Sequence, residues 1–260
     1  MLLSVIILTK DEQDCIESCL HSVHGWADEI IVIDDESTDN TVEIAQRYAD
    51  KVISRKMTIE GTHRNWSYAK AKNKWVLSLD ADEEVSEALR DEISKILADT
   101  SNKAFAIPIK TYIGNHWVRY GGWYPASKVR LFDKGCFRYE DVEVHPCVFV
   151  DGNTGLLTKD IIHKGYPDIA HLLSSLNRQT SLEVEKWIRT GHKMETGRFI
   201  RRSIDRFFRS YIRKRGFKDG FIGFIVAYFA SLYQIISYAK YWEKMQSLDN
   251  EHHSDSKKSC

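Results

Sequence analysis

The stretch from Glu29 to Asn40 reads EIIVIDDESTDN, in which a run of apolar, mostly β-branched residues ends in two acids. A continuous apolar run of this length is typical of a strand that is buried on both faces of a parallel sheet. Leu2–Leu8 (LLSVIIL) and Trp75–Leu79 (WVLSL) have the same character, and apolar residues at helical spacing follow each of them. This alternation of strands and helices predicts an α/β fold with a mostly parallel central sheet.

The pattern changes twice along the chain. Residues from 103 to about 162 have the composition of strands and loops, and the sequence beyond Asp168 is helical until a polar tail. We therefore predict one α/β domain over residues 1–165, a helical and basic extension over residues 166–245, and a disordered tail over residues 246–260.

The composition limits the class of protein. Lys and Arg together number 37, as do Asp and Glu, so the formal net charge is zero and a globally basic nucleic-acid binder is excluded. The 260 residues are 43% hydrophobic, which is typical of a globular chain. The five cysteines form no CxxC pair, so we expect a reducing compartment and neither a disulfide scaffold nor a zinc ribbon.

Two of the predicted strands end in acid clusters, Asp34-Asp35 and Asp80-Ala81-Asp82, at the edge where open parallel sheets bind ligands. The sequence has no glycine-rich phosphate loop, and carboxylates repel phosphate unless a cation lies between them. The pattern therefore predicts Mg²⁺ or Mn²⁺ against a diphosphate, with Asp82 as a ligand and Asp80 as a second candidate. The alternative is that these acids only cap the helices that follow.

Motifs along most of the chain resemble those of family 2 glycosyltransferases, which have the GT-A fold. VIILTKDE (5–12), IIVIDDESTDNT (30–41) and WVLSLDADEE (75–84) are similar to the three N-terminal signatures of that family. The subgroup that contains bacterial lipopolysaccharide core β-1,4-glucosyltransferases is similar in four further motifs: GGWYPASKVRLFDKG (121–135), VHP (144–146), DGNTGLL (151–157) and DIIHKGY (160–166). The resemblance implies a GT-A catalytic domain with a helical C-terminal extension.

The resemblance also implies roles for individual residues. Asp34 would recognise the nucleotide base, with Asp35 nearby. Asp82 would be the direct metal ligand of the DxD element, while Asp80 would face the ribose or a water on the metal. His163 matches the C-terminal metal-binding histidine of many GT-A enzymes, although a histidine that follows apolar residues is often structural.

Inverting sugar transfer needs one carboxylate that takes the proton of the acceptor hydroxyl. Many members of the subgroup carry Val-His-Glu at residues 144–146, but this sequence has Pro146 in place of the glutamate. The role then falls to Asp141, Glu140 or Glu143. We favour Asp141, because Glu140-Asp141 resembles the acidic catalytic motif of GT-A enzymes. The alternative is that all three are acids on a solvated edge strand.

Basic and aromatic side chains are expected beside the donor. Arg64 in HRNW, and Lys128 and Arg130 in SKVRLF, stand where family members often carry cations, so we expect them near the diphosphate. Trp123 follows two glycines and could stack on the face of a sugar, or it could be a buried residue that closes a turn.

The C-terminal extension carries a positive charge that the neutral total hides. Its basic residues are Arg198, Arg201, Arg202, Arg206, Arg209, Arg213, Lys214, Arg215 and Lys218. Apolar residues interleave with them, and Phe221–Ala239 contains no charged residue, which predicts that residues 198–242 bind an anionic membrane surface. We favour a helix that lies in the membrane interface or forms a shallow hairpin. Two alternatives stay open for Phe221–Ala239: burial against the catalytic domain or a dimer partner, and a membrane span.

Together these features predict an inverting, metal-dependent enzyme that moves a sugar, by resemblance glucose, from a UDP-sugar to a lipid-borne glycan such as the lipopolysaccharide core. We expect it to be peripheral on the cytoplasmic face of the bacterial inner membrane, with no nucleic-acid partner and with a homo-oligomer left open. The alternatives are transfer to a protein or peptide, and a nucleotide-sugar-binding membrane protein that has lost activity, as Pro146 suggests.

Overall fold

The computed structural model describes residues 2–142, 147–191 and 196–258, and the chain divides into two compact units. The first unit comprises Met1–Trp117 and Trp123–Pro167, and the second comprises Val118–Gly122 and Asp168–Cys260. The predicted domain boundary at residue 165 lies two residues before Pro167. No pattern in the sequence indicated that a short segment from the middle of the chain belongs to the second unit.

The described residues of the first unit form thirteen strands and four helices. The strands are β1 (Leu3–Thr9), β2 (Glu29–Asp34), β3 (Lys51–Ser54), β4 (Trp75–Asp80), β5 (Glu83–Val85), β6 (Ala104–Ile107), β7 (Ile109–Ile113), β8 (His116–Trp117), β9 (Lys128–Asp133), β10 (Phe137–Tyr139), β11 (Val148–Val150), β12 (Thr154–Leu156) and β13 (Ile161–Tyr166). The helices are α1 (Ile16–Val23), α2 (Thr41–Ala45), α3 (Glu60–Tyr68) and α4 (Glu87–Ile96).

A seven-stranded sheet with the order β12-β6-β9-β4-β1-β2-β3 forms the centre of this unit. β1 pairs in parallel with β2 and β4, and β2 pairs in parallel with β3, whereas β9 is antiparallel to both of its neighbours. A four-stranded sheet, β5-β13-β7-β8, and the hairpin β10-β11 complete the strands. The predicted α/β class with a mostly parallel central sheet is therefore confirmed.

Burial on both faces explains the apolar runs. Leu3, Val5 and Ile7 of β1 belong to one buried cluster, together with residues of α1 and α4. Ile6 belongs to a second cluster, together with Tyr68 of α3. Successive side chains of a strand point to opposite faces, so a sheet that is covered on both sides needs apolar residues at every position.

The register of β1 brings the two acid clusters to one edge of the sheet. Thr9 pairs with Asp34 at the end of β2, and Leu8 pairs with Asp80 at the end of β4. Because these strands are parallel, their carboxyl ends meet at the edge where the sequence predicts the ligand.

The second unit is helical. It contains α5 (Ile169–Arg189), α6 (Thr196–Phe208), a π-helical turn (Arg209–Arg213), a 3₁₀ turn (Gly216–Asp219) and α7 (Gly220–Lys258). α7 continues to Lys258, within the range 246–260 over which the sequence predicts a disordered tail, and disorder of the tail stays a prediction. No glycine or proline follows Gly223 in the sequence, so no residue of the type that interrupts a helix stands in the tail.

One side of α7 packs within this unit. Ala227, Gln234 and Ser237 are buried, and a Cβ at Gly223 would overlap the carbonyl oxygen of Gly216. Small and weakly polar residues on one side of a helix allow close packing against another helix. Within the part of the chain that the structure describes, Gly216–Ser247 is the one helical stretch long and apolar enough to cross a membrane, with a mean hydropathy of 1.6 over its most apolar window.

The segment Val118–Gly122 is held in the second unit by hydrogen bonds of its backbone. The N–H groups of Arg119 and Tyr120 both donate to Asp219 Oδ2, at 3.0 and 2.7 Å. Gly121 N–H donates to the carbonyl oxygen of Lys214 at 3.0 Å. Asp219 is buried, and its charge is stabilised by these two donors.

Candidate active site

Asp80, at the end of β4, lies between two arginines. Arg130 Nη2 donates to Asp80 Oδ2 at 2.6 Å, and Arg64 Nη2 lies 3.3 Å from Asp80 Oδ1. Burial alone would raise the pKa of Asp80, but the charges of Arg130 and Arg64 outweigh it and hold this pKa well below its usual range. The carboxylate is therefore ionised, and both of its oxygens have a fixed partner.

Arg130 does not occupy the position that the sequence predicted. It was expected beside the diphosphate, but its side chain is only 3% exposed and also donates to Glu83 Oε1 at 2.7 Å. Glu83 is equally buried, and its Oε2 accepts from Asp80 N–H at 3.0 Å. Two carboxylates compensate the guanidinium inside the protein, so Arg130 acts on the site through Asp80.

Asp82 and His163 form a second pair beside the first. His163 Nε2 lies 3.0 Å from Asp82 Oδ2, and each side chain is 20% exposed. Burial lowers the pKa of His163, but the hydrogen bond to Asp82 and the charge of that carboxylate raise this pKa by more than burial lowers it, so the net shift is upward. Lys164 N–H donates to the Asp82 carbonyl at 3.0 Å, which ties β13 to the loop after β4.

Gly165 lets these two side chains lie close against the backbone of β13. A Cβ at this position would overlap Asp82 Oδ2 and would lie 2.7 Å from His163 Nε2. Across the described residues, no group of three or more His, Cys, Asp or Glu side chains is placed to hold a metal ion. One carboxylate and one imidazole fit a divalent cation that takes its other ligands from diphosphate and water.

Asp141 is exposed and is held by two side chains of α3. Its Oδ1 accepts from Thr62 Oγ1 at 3.1 Å and from Asn65 Nδ2 at 3.3 Å. Asn65 also bonds the backbone of Tyr139 twice, since its Nδ2 donates to the carbonyl at 2.9 Å and its Oδ1 accepts from the N–H at 2.8 Å. Sequence reasoning missed Thr62 and Asn65; the only available signal was that Asn65 stands next to Arg64.

The other two candidate bases are placed differently. Glu140 is half-buried, and its Oε2 accepts from Cys147 N–H at 3.3 Å within its own hairpin. Glu143 lies outside the described residues, as does Pro146. Of the candidate bases that the structure describes, Asp141 is the one whose carboxylate accepts hydrogen bonds from side chains of α3.

α3 links the acid at the end of β4 to the acid after β10. Arg64 reaches Asp80, and the next residue, Asn65, reaches Asp141. Arg64 Nε also donates to Glu60 Oε1 at 3.0 Å. Its Nη1 is buried and has no hydrogen-bond partner within the described part of the chain, which leaves a donor for an oxyanion.

Asp34 and Asp35 organise the loops that follow β2 and β3. Asp34 is 1% exposed, and its Oδ2 accepts from Ser37 N–H at 3.1 Å and from Ser54 Oγ at 3.4 Å. Asp35 Oδ1 accepts from Met57 N–H at 2.6 Å. The two acids therefore shape the part of the edge where the resemblance implies the nucleotide base.

Lys128 and Trp123 complete the predicted donor residues. Lys128 is exposed at the start of β9. Trp123 is half-buried, and its ring centroid lies 5.9 Å from that of Tyr166, which in turn lies 5.5 Å from the His163 ring. Trp123 is thus two ring contacts away from the Asp82–His163 pair, through Tyr166, which sequence reasoning missed.

Comparison with known proteins points to one family. The family model described as glycosyl transferase family 2 matches residues 4–165. An uncharacterized glycosyltransferase of Rickettsia typhi is 30% identical over 237 residues, which cover 86% of this chain and 80% of the relative. The lipopolysaccharide core biosynthesis glycosyltransferase LpsC of Rhizobium meliloti is 23% identical over 250 residues, which cover 93% of this chain and 92% of LpsC. The crystal structure of S. aureus TarS 1-349 in complex with UDP-GlcNAc is similar with a TM-score of 0.49 and 15% identity, over 87% of this chain and 79% of that one.

Proposed function

This chain belongs to glycosyl transferase family 2, and we propose that it transfers a sugar from a UDP-sugar to a glycan carried on a lipid, with inversion at the anomeric carbon. It is a glycosyltransferase with the GT-A fold, and the matched residues 4–165 include the site described above. The observation that carries the proposal is the arrangement on α3, where Arg64 reaches Asp80 and Asn65 holds Asp141.

Mg²⁺ or Mn²⁺ is the proposed cofactor, and Asp82 and His163 would hold it. Their 3.0 Å separation, which brings one carboxylate oxygen and one imidazole nitrogen together, supports this assignment. When bound, the cation supplies positive charge that offsets the charge on a departing diphosphate. Asp80, the third predicted ligand, has both oxygens engaged by arginines, so we assign it to the ribose or to water in the site.

Asp141 is the proposed base. The oxygen of the acceptor hydroxyl attacks the anomeric carbon of the donor, the proton of that hydroxyl passes to the Asp141 carboxylate, and the bond to the diphosphate breaks so that UDP leaves. A single displacement of this kind inverts the configuration and needs one base, not the carboxylate pair of a glycosidase. Thr62 and Asn65 support the assignment, because they fix the position of the carboxylate.

The remaining donor contacts are assigned to residues around these two carboxylates. Lys128 and Arg64 are the proposed cations for the diphosphate, and Arg130 is a positioning residue that holds Asp80. Trp123 is proposed to contact a sugar, since its ring packs on Tyr166 beside His163. Asp34 and Asp35 are proposed to form the base-binding part of the site.

The acceptor and the location rest on the relatives and on the helical unit. LpsC is named for lipopolysaccharide core biosynthesis, which supports a lipid-borne glycan as the acceptor class. Glucose as the transferred sugar rests on the resemblance of the sequence motifs alone. The basic residues between 198 and 218, and the apolar helix that follows them, support binding of residues 198–242 to an anionic membrane. We therefore place the enzyme on the cytoplasmic face of the bacterial inner membrane. A homo-oligomer stays a prediction.

Mass spectrometry of the glycolipid pool tests the donor sugar and the acceptor together. We expect one hexose to be missing from a lipid-borne glycan in cells that carry Asp141→Asn, and to be present in cells that carry Lys95→Gln, an exposed change on α4. An unchanged glycolipid pool together with a lost modification on a peptide would show the alternative acceptor class. UDP-sugar binding in calorimetry without turnover would show that the protein has lost activity. Either result would overturn the proposal.

A further inference from the structure

The helical unit presents a row of large apolar side chains to solvent. Ile200, Ile204, Phe208 and Ile212 recur every four residues along α6 and the π-helical turn, and they are 48–55% exposed. Further exposed residues follow on the 3₁₀ turn and the first half of α7, namely Phe217, Phe221, Phe224 and Tyr228. We call these eight residues the apolar face. They form two rows, one along α6 and the π-helical turn and one along the 3₁₀ turn and α7, and the spacing of three or four residues places each row on one side of its helix.

Ring contacts join the two rows into one surface. The half-buried Phe207 lies 5.7 Å from Phe208 on the first row and 5.9 Å from Phe224 on the second, measured between ring centroids. Tyr211 lies 6.0 Å from Phe224 and 6.3 Å from Phe217. The apolar face is therefore continuous, and a large exposed apolar patch on a protein marks an interaction surface.

Exposed cations occupy the same helices and turns as the apolar face. They are Arg201, Arg202, Arg206, Arg209, Arg213, Lys214, Arg215 and Lys218. Among the described residues, Asp205 pairs with Arg209, and the buried Asp219 accepts hydrogen bonds from the backbone of Arg119 and Tyr120. These two acids do little to neutralise eight cations. A partner of this surface must offer both a hydrophobic interior and negative charge.

We propose that the apolar face inserts into one leaflet of a bilayer with anionic headgroups, so that α6 and the start of α7 lie in the interface and do not cross the membrane. Arginines that flank the inserted side chains meet the headgroups, which is the arrangement of an interfacial amphipathic helix. The inference rests on the proposed function only in that a lipid-borne acceptor would be reached at such a surface.

Two other occupants fit the observations less well. A second copy of this chain, docked through the same face, would bring eight exposed cations against eight like charges. A membrane span would require α7 to leave its neighbours, because Ala227, Gln234 and Ser237 are buried on its other side. Lipid cannot hydrogen-bond the polar side chains that such a move would uncover.

Vesicle binding without donor or acceptor tests the inference. Phosphatidylcholine vesicles with and without phosphatidylglycerol are mixed with the full chain and pelleted. For Phe208→Ser with Phe221→Ser we expect partition to anionic vesicles to fall at least about tenfold, since two inserted side chains are lost. Leu173→Ser, an exposed apolar residue on α5, is the matched control and leaves partition unchanged.

A second pair of variants keeps the test independent of the apolar changes. Arg202→Gln with Arg213→Gln lowers partition about tenfold on anionic vesicles and has little effect on neutral ones, whereas Arg178→Gln on α5 changes neither. Equal partition of all variants would overturn the inference. Retention of the wild-type protein in the membrane pellet after an alkaline carbonate wash would show that a helix spans the membrane. A concentration-dependent dimer that Phe208→Ser abolishes would show that a second copy of the chain covers the apolar face. Each of these two results would also overturn the inference. Calorimetry with the UDP-sugar is run separately, so a failure of the proposed enzyme activity is distinguishable from a failure of membrane binding.

Discussion

Gly61 lies so close to Glu140 that a Cβ at position 61 would overlap the Glu140 carbonyl oxygen. The same glycine donates its N–H to the carbonyl oxygen of Val142 at 3.2 Å. The first turn of α3 therefore meets the segment that carries Asp141 through the backbone, and Asn65 meets it again one turn later. The position of the proposed base depends on the absence of a side chain at residue 61.

Gly61→Ala should lower kcat at least about tenfold, which corresponds to about 1.4 kcal/mol of barrier. The added methyl group must displace the Glu140–Val142 backbone and with it the Asp141 carboxylate. Steady-state release of UDP measures the effect, and calorimetry should show unchanged donor binding. Gly197→Ala is the control, since a Cβ there meets no atom within 4 Å. An unchanged kcat in Gly61→Ala would mean that the segment tolerates displacement or that Asp141 is not the base.

Asp141→Asn should reduce kcat by about 10²–10⁴ because an amide cannot accept the proton of the acceptor hydroxyl. The amide can still pair with Thr62, so donor affinity and the free energy of unfolding should change little. Glu140→Gln serves as the comparison, because that side chain bonds Cys147 within its own hairpin. If Glu140→Gln is inactive and Asp141→Asn is active, the two roles are reversed.

His163→Gln should raise the Mn²⁺ or Mg²⁺ concentration for half-maximal UDP release by at least about tenfold, as loss of a group at a metal site does. Excess metal should restore part of the rate, and a chelator should abolish it in the wild type. His171→Gln is a matched control, because His171 Nδ1 pairs with Asp168 at 2.8 Å in the second unit. Equal metal dependence in all three proteins would remove His163 from the proposed site.

Arg130→Met should lower the free energy of unfolding by about 3 kcal/mol, because it leaves the buried Glu83 without its counter-charge and leaves Asp80 with Arg64 as its partner. Urea unfolding measures the loss, and adding Glu83→Gln to the same protein should recover part of it. Arg90→Met tests an exposed ion pair with Glu87 and should cost less than about 1 kcal/mol. A loss of activity at full stability in Arg130→Met would instead favour direct contact with the donor.

Asp219→Ala should lower the free energy of unfolding by about 2 kcal/mol, since two backbone donors lose a charged acceptor. Hydrogen exchange should speed up at the amides of Arg119 and Tyr120 before it does in β1. Asp205→Ala, which removes an exposed acid that pairs with Arg209, is the control and should leave these amides protected. Unchanged exchange at both amides would contradict the assigned role of Asp219.

Local patterns were sufficient for the elements that bring the acids together. β1, β2 and β4 are apolar at nearly every position, and Asp34 and Asp80 follow directly, so the strands and their shared edge could be predicted. The environment of Arg130 could not be predicted, because its partners Glu83 and Asp80 lie 47 and 50 residues away in the sequence. An arginine two residues after Lys128 has the pattern of a surface charge. Asn65 was missed for the same reason, since its contact with Tyr139 spans 74 residues.

The helical unit shows a different limit. Composition alone identified the basic and apolar character of residues 198–242, but an apolar residue on a helix can face either its neighbours or solvent. Val226 is buried while Phe224 is exposed, and only the packing of α7 against its neighbours determines which apolar residue is buried. Residues 121–135 also read as one motif in the sequence, although the structure assigns Gly121 and Gly122 to the second unit and the rest to the first.

The assignment of Val118–Gly122 to the helical unit means that the chain passes between the two units three times, at residues 117/118, 122/123 and 167/168. A chain cut after residue 167 would retain this segment but lack Asp219, Lys214 and Ser210, which accept or donate its hydrogen bonds. We therefore expect the family region, residues 4–165, to be less stable as an isolated fragment than within the whole chain. The helical unit would then contribute to the stability of the first unit as well as to its proposed attachment to lipid.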